Sequence, residues 1–223
     1  MKIGEEKIGA SPIDEFELKL NRMNISGALF DIVKLLDVSK IIISKYDAER
    51  IYQEADDWAK QYDPELEQLL QDKEYSLKVL GIERGNEKPR KDIAKWSDLK
   101  EIIEYMYDAE FYNTTAEYQY QKINDKEQIA KILSLYLEKY FNLSDDKQTW
   151  FNKIKDLSED LGYAREVKEY KNEPEKYPGH VGDISTVIRV SLTTKANTPD
   201  LYEIMQVLGK ESIEKRLQFA IKG

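Results

Sequence analysis

Along most of the chain, hydrophobic residues recur at the three- and four-residue spacing of amphipathic helices. Series of this kind occupy residues 44–62, 64–80, 97–107, 129–140 and 150–161. Short polar residues stand where these series begin, as at Ser44 with Asp47 and at Asp63-Pro64. The pattern predicts an all-α fold. One stretch, Glu15–Leu20, alternates with a period of two and could form a short strand near the N-terminus.

The stretch 168–209 has a different pattern in each of its three parts. A Lys-, Tyr- and Pro-rich segment with little periodicity runs to Gly182, and an apolar run follows over 184–192. Thr198-Pro199 then has the form of a helix start, with Gly209 as its end. With Asp183 as an N-cap, the stretch predicts two short helices joined by a polar turn over 193–197.

Arg189 is the one charged residue inside the apolar run 184–192. A guanidinium group in such a place either reaches the surface along its aliphatic stem or meets an anion. The pattern alone leaves both open, with a surface or salt-bridged arginine as the plainer interpretation.

Composition narrows the classes of function for these 223 residues. The absence of cysteine excludes disulfides, thiol catalysis and cysteine-bound zinc, and the one histidine, His180, leaves no histidine metal site. We expect no metal, no catalytic residue and no cofactor in this chain. No apolar run is long enough to span a bilayer and no signal segment is seen, so we expect a cytoplasmic chain with no membrane partner.

The net charge of −9 argues against binding nucleic acid without regard to sequence, because such binders are basic. A local basic patch remains compatible with this charge. Residues 84–100 contain six basic and three acidic side chains.

The C-terminal part resembles the anticodon-binding helices of bacterial class I glutamyl-tRNA synthetases. That family has an arginine in an apolar helix, a short polar turn, Thr/Ser-Pro before a Leu-containing helix, then Leu-Gly-Lys-Glu and an Arg-Leu pair. The matching pieces here are Ile188-Arg189-Val190, Leu192-Thr193, Thr198-Pro199-Asp200-Leu201, Leu208-Gly209-Lys210-Glu211 and Arg216-Leu217. Thr194 departs from the family, which usually has glycine there. The resemblance covers roughly Phe16 to the C-terminus.

The resemblance implies three helical regions: 1–82, similar to a stem-contact region; 83–162, an anticodon-binding subdomain; and 163–223, the C-terminal anticodon-binding subdomain. It implies that the chain recognises the anticodon of glutamate tRNA. The residues that match contact positions of the family are Arg189, Thr198, Pro199, Leu201, Arg90 and Arg84, with Arg90 preferred to Arg84 in the charged joint 83–90.

The resemblance also implies a parent glutamate–tRNA ligase whose catalytic domain lies upstream in the same polypeptide. ATP and Mg²⁺ would act there. No HIGH-type motif, Gly-rich phosphate loop or metal cluster is found within these residues. The alternative that composition leaves open is a helical protein–protein interaction module without RNA binding, which the acidity and the tyrosines suit equally well.

Overall fold

The structure is a computed structural model that describes residues 31–113 and 117–222. Residues from Leu36 onward belong to one compact unit. The predicted strand at Glu15–Leu20 lies outside the described residues. The boundaries at 82/83 and 162/163 stay predictions.

The described residues are helical and contain no β-strand, which confirms the all-α prediction. The helices are α1 (Ile32–Ile43), α2 (Ala48–Tyr62), α3 (Pro64–Leu69), α4 (Lys73–Gly81), α5 (Leu99–Ile103), α6 (Asp108–Asn113), α7 (Lys126–Leu135), α8 (Lys147–Asp160), α9 (Val167–Asn172), α10 (Val181–Thr193) and α11 (Leu201–Lys222). Single 3₁₀ turns (Trp96–Asp98 and Glu104–Met106) flank α5, and a π turn (Tyr136–Tyr140) extends α7.

Aspartate side chains begin seven of these helices, because a short carboxylate can accept from the unpaired N–H groups of the first turn. Each accepts from the backbone N–H three residues further on. The seven caps are Asp31, Asp47, Asp63, Asp72, Asp125, Asp146 and Asp200. The prediction that α2 begins at Ser44 was wrong, since Ser44 follows α1 and its hydroxyl donates to the Ile41 carbonyl.

The core is formed by the apolar faces of helices that are consecutive in the sequence and of helices that are distant in it. α11 packs against α4, α7 and α10, α2 packs against α3 and α4, and α8 packs against α10. Fully buried aliphatic side chains from each of these helices meet there. Long-range packing of this kind holds the short helices, which would be marginal alone.

The beginning of α10 differs from the prediction. The helix starts at Val181 with His180 as its N-cap, and Asp183 is the third helical residue. The His180 Nδ1 atom accepts from the Gly182 N–H at 3.0 Å, and the Asp183 carboxylate accepts from the His180 N–H at 2.9 Å. Asp183 therefore takes part in a reciprocal capping box rather than beginning the helix itself.

The beginning of α11 was also predicted too early. The helix starts at Leu201, and Asp200 accepts from the Glu203 N–H at 3.1 Å. Thr198 and Pro199 belong to the turn that precedes it. Gly209, predicted as the end of this helix, interrupts α11 with a φ of 76°, a value that favours glycine.

None of the helices in the described part of the chain combines the length and the apolar character that crossing a membrane requires.

Candidate nucleic-acid interface

Arg189 projects from α10 onto the turn that leads into α11. Its Nη1 atom donates to the Pro199 carbonyl at 2.6 Å, to the Thr198 carbonyl at 3.2 Å and to the Thr198 hydroxyl. The sequence predicted all three residues as parts of one site, and the structure brings them into direct contact. The arginine meets neutral oxygen atoms here, and no carboxylate among residues 31–113 and 117–222 forms an ion pair with it.

Half-buried Arg189 retains unused hydrogen-bonding capacity. Burial lowers the pKa of its guanidinium group, although arginine stays protonated in proteins. Its Nε and Nη2 atoms have no hydrogen-bond acceptor within residues 31–113 and 117–222. The side chain can thus hold the turn through one nitrogen and still offer donors to a ligand.

The turn itself is tied down at several points. Thr194 ends α10 with a φ of 60°, a conformation that glycine adopts more easily than threonine. This geometry gives a physical reason for the glycine that the resembled family usually has at this position. The Thr193 hydroxyl donates to the Arg189 carbonyl at 2.8 Å, and the Lys195 ammonium group reaches the Glu101 carbonyl at 2.7 Å.

A first cleft, of about 560 Å³, lies between this turn and the joint that precedes α5. Thr198 and Pro199 line one side, and Arg90 lines the other. The remaining lining residues are Glu83, Asp92, Asp98, Glu101, Ile102, Tyr105, Lys195 and Asn197. The structure therefore places Arg90, which comes from a distant part of the sequence, beside the predicted C-terminal residues.

Arg84 does not line this cleft. Its side chain is only 3% exposed, and its Nη2 atom donates to the Asp92 carboxylate at 2.9 Å. The same carboxylate also pairs with Arg90, at 2.8 Å. Arg84 thus lies behind Arg90, and the burial lowers its pKa against the opposing effect of Asp92.

A second cleft, of about 680 Å³, lies on the other side of the Arg189 contact. Arg189 and Leu201 line it, although Leu201 is only 2% exposed. The other lining residues are Lys147, Gln148, Trp150, Phe151, Gly182, Ser185, Thr186 and Asp200. Arg189 lines the second cleft, and it bonds to Thr198 and Pro199, which line the first cleft. The contact between Arg189 and this turn is therefore a wall shared by the two clefts.

The second cleft combines an aromatic surface with polar groups that have no partner. Phe151 is 37% exposed, and the Ser185 hydroxyl is buried without a hydrogen-bond partner in the described part of the chain. Asp200, beside them, pairs with Lys147 at 2.8 Å. A flat apolar ring near hydrogen-bonding side chains is a combination that can hold an unstacked base.

Sequence reasoning missed Asp92 and Ser185 as parts of this site. Asp92 stands in a stretch dense in charges, where no pattern separates one carboxylate from another. Ser185 lies four residues before Arg189, a spacing that places both on one face of α10 once the helix is recognised.

Comparison with known proteins points to one family. A family model described as an anticodon binding domain matches residues 171–221, a segment that contains Arg189, Thr198, Pro199 and Leu201. The chain is 43% identical over 205 residues to a glutamate–tRNA ligase of Clostridium perfringens strain 13, which covers 91% of this chain and 37% of that protein.

Two further relatives are also glutamate–tRNA ligases. The protein of Acetivibrio thermocellus is 43% identical over 209 residues, or 93% of this chain and 38% of its own length. The protein of Sorangium cellulosum is 40% identical over 207 residues, or 92% of this chain and 36% of its own length. The chain thus spans little more than a third of the length of the curated relatives it matches.

Proposed function

We propose that this chain, the anticodon-binding portion of a member of the glutamate–tRNA ligase family, reads the anticodon of glutamate tRNA through the two clefts around Arg189. The observation that carries the proposal is the shared wall, where one half-buried arginine holds the turn and keeps donors free. Anticodon bases are single-stranded and can be splayed out, stacked and read on their edges. Two adjoining concave sites suit bases that leave the stack.

The residues have distinct roles in this proposal. Arg189 donates to a base edge or a phosphate, and Thr198 and Pro199 form the surface against which a base rests. Arg90 approaches the same base from the other side of the first cleft. Leu201, almost fully buried, fixes the start of α11 rather than offering a large contact area.

The helix start contributes less than the sequence suggested. Asp200 already accepts from the first turn of α11, so a phosphate would compete with a carboxylate there. Recognition in the proposal therefore depends on side chains and on the turn, and less on the dipole of α11.

The parent enzyme in this proposal is a cytoplasmic glutamate–tRNA ligase. An upstream catalytic domain of the same polypeptide joins glutamate to the tRNA and binds ATP and Mg²⁺. This chain contributes no residue to that site, and it holds the anticodon end of the tRNA while the reaction takes place elsewhere.

The test is fluorescence anisotropy of this chain with an in-vitro transcribed glutamate tRNA. A matched transcript with its three anticodon bases changed serves as the control. Both are measured at low and at physiological salt, because phosphate contacts weaken steeply as salt rises. We expect tighter binding to the native anticodon at both salt concentrations.

Other outcomes would reject the proposal. Equal affinity for the two transcripts would mean contact with the phosphate backbone alone. No binding to either transcript at low salt would favour the alternative of a helical protein–protein interaction module, whose apolar contacts do not depend on salt in this way.

A further inference from the structure

Asp92 occupies an unusual position between two arginine side chains. Its Oδ1 atom accepts from Arg84 Nη2 at 2.9 Å, and its Oδ2 atom pairs with Arg90 Nη2 at 2.8 Å. Each oxygen of the carboxylate therefore holds one guanidinium group. Among the described residues, no other carboxylate pairs with either arginine.

Burial separates the two arginines into different roles. The Arg84 side chain is 3% exposed and does not reach the cleft, whereas Arg90 lines it with 11% of its side chain exposed. Arg84 also donates through Nη1 to the Arg90 carbonyl at 3.2 Å. Arg84 thus fixes both the carboxylate that Arg90 contacts and the backbone from which Arg90 extends.

The cluster keeps a positive charge beside the cleft. One carboxylate faces two guanidinium groups, so this cluster of three side chains has a net charge of +1, in a cleft that Glu83, Asp98 and Glu101 also line. The Nε atoms of both arginines are buried with no acceptor in the described part of the chain. The protein therefore fixes these arginines without using all of their donors.

We propose that Asp92 is a positioning residue that aims the Arg90 guanidinium group into the first cleft, with Arg84 as the buried anchor of Asp92. This inference rests on the proposed function. A long arginine side chain loses rotamer freedom when it binds, and fixing it beforehand reduces that loss. The orientation also favours one arrangement of donors, so Asp92 affects which base is accepted more than how tightly any RNA is held.

The experiment compares Asp92→Asn with the wild-type chain on the same two transcripts. The neutral side chain cannot hold two guanidinium groups as firmly, so we expect the affinity ratio of native to altered anticodon to fall about tenfold. Binding to the altered transcript is expected to stay the same or to tighten, since one negative charge is lost. The matched control is Asp156→Asn, which removes one of the two carboxylate partners of Arg165 outside both clefts and leaves the ratio unchanged.

A double-mutant cycle separates positioning from a general loss of structure. If Asp92 acts through Arg90, Asp92→Asn has no further effect on the affinity ratio in an Arg90→Ala chain. An equal effect in both backgrounds would overturn the inference, as would an Asp92→Asn chain that discriminates as well as wild type. A wild-type chain that binds both transcripts equally overturns the proposed function, and this inference falls with it.

Discussion

Arg216, Arg84 and Arg90 are largely buried arginines in the same molecule. They differ greatly in how many of their N–H donors have a hydrogen-bond acceptor in the described part of the chain. Arg216 in α11 is fully buried, and all five of its hydrogen bonds go to protein atoms. Its acceptors are the Asp108 carboxylate and the carbonyls of Tyr105, Met106 and Leu192. Arg84 and Arg90 share one carboxylate and keep buried Nε atoms without acceptors.

The difference teaches how to separate a structural arginine from one that is available to a ligand. Arginine has five N–H donors, and a site that fills all five leaves nothing for another molecule. Arg189 resembles Arg90 in this respect, because only its Nη1 atom is engaged. The number of unused donors beside a cleft is thus more informative than burial alone.

The largest expected effect comes from removing the satisfied arginine. Arg216→Met leaves three buried carbonyl groups without this donor and leaves Asp108 with the Ser212 hydroxyl as its remaining side-chain donor among the described residues, and we expect the free energy of unfolding to fall by about 3–5 kcal/mol. Urea denaturation followed by circular dichroism measures this change. The control Arg165→Met breaks exposed ion pairs and should cost less than about 1 kcal/mol. Similar losses in both variants would contradict the comparison.

Arg189→Ala should weaken RNA binding and leave stability nearly unchanged, whereas Arg216→Met should mainly lower stability. We expect binding of glutamate tRNA to weaken by about 1–3 kcal/mol, while the helical signal and its cooperative melting are retained. Anisotropy and a circular-dichroism melt on the same sample measure both quantities. Arg50→Ala, on the surface of α2 and outside both clefts, is the matched control. A melt that shows loss of helix in Arg189→Ala would mean that Arg189 is a structural arginine like Arg216.

Gly209 lies in α11 between a residue of the candidate site, Leu201, and the structural arginine, Arg216. Its φ of 76° disfavours any residue with a Cβ, although open space surrounds the position. We expect Gly209→Ala to lower stability by about 1–2 kcal/mol through the backbone alone. Gly81→Ala, at the end of α4 without a positive φ, is the control and should be close to neutral. Equal effects would mean that the interruption is not strained.

The smallest expected effect concerns pH. Partial burial acts to raise the pKa of Asp108, but hydrogen bonds from Ser212 and Arg216 outweigh it, and the net result is a lowered pKa. A carboxyl group with a lowered pKa stabilises the fold above its ordinary pKa and loses that contribution as the pH falls through the folded value.

The stability difference between wild type and Asp108→Asn should therefore shrink as the pH is lowered from 6 toward about 3. Urea midpoints at several pH values measure this difference. A constant difference across the range would show that the Arg216 contact does not depend on the charge of Asp108.

Local signals predicted much of the fold. Asp63-Pro64 and Asp146 begin helices as expected, because capping depends on a few neighbouring atoms. His180 was missed as an N-cap, since an imidazole fills this role less often than the carboxylate three residues later. The helix α9 (Val167–Asn172) was missed as well, because its six residues are too few to show a period.

The sequence predicted the part of the site whose residues lie close together in the chain. It did not predict the contacts that form only when distant or irregular segments come together in the fold. Arg189, Thr198 and Pro199 lie within eleven residues of each other and were predicted as parts of one site, and the structure adds that they are in direct contact. The pairing of Arg84 and Arg90 with Asp92 depends on the path of the joint, which no period describes. Three of the four residues that accept from buried Arg216 are more than 100 residues away in the sequence.

The long sequence separation between Arg216 and its acceptors has a consequence for folding during translation. The ribosome completes Tyr105, Met106 and Asp108 long before it adds Arg216, which bonds to groups up to 111 residues earlier. During translation the acceptor groups in the turn between α5 and α6 bind water until Arg216, their donor, has been synthesised. This turn reaches its native hydrogen bonding only after α11 has been synthesised and has left the exit tunnel.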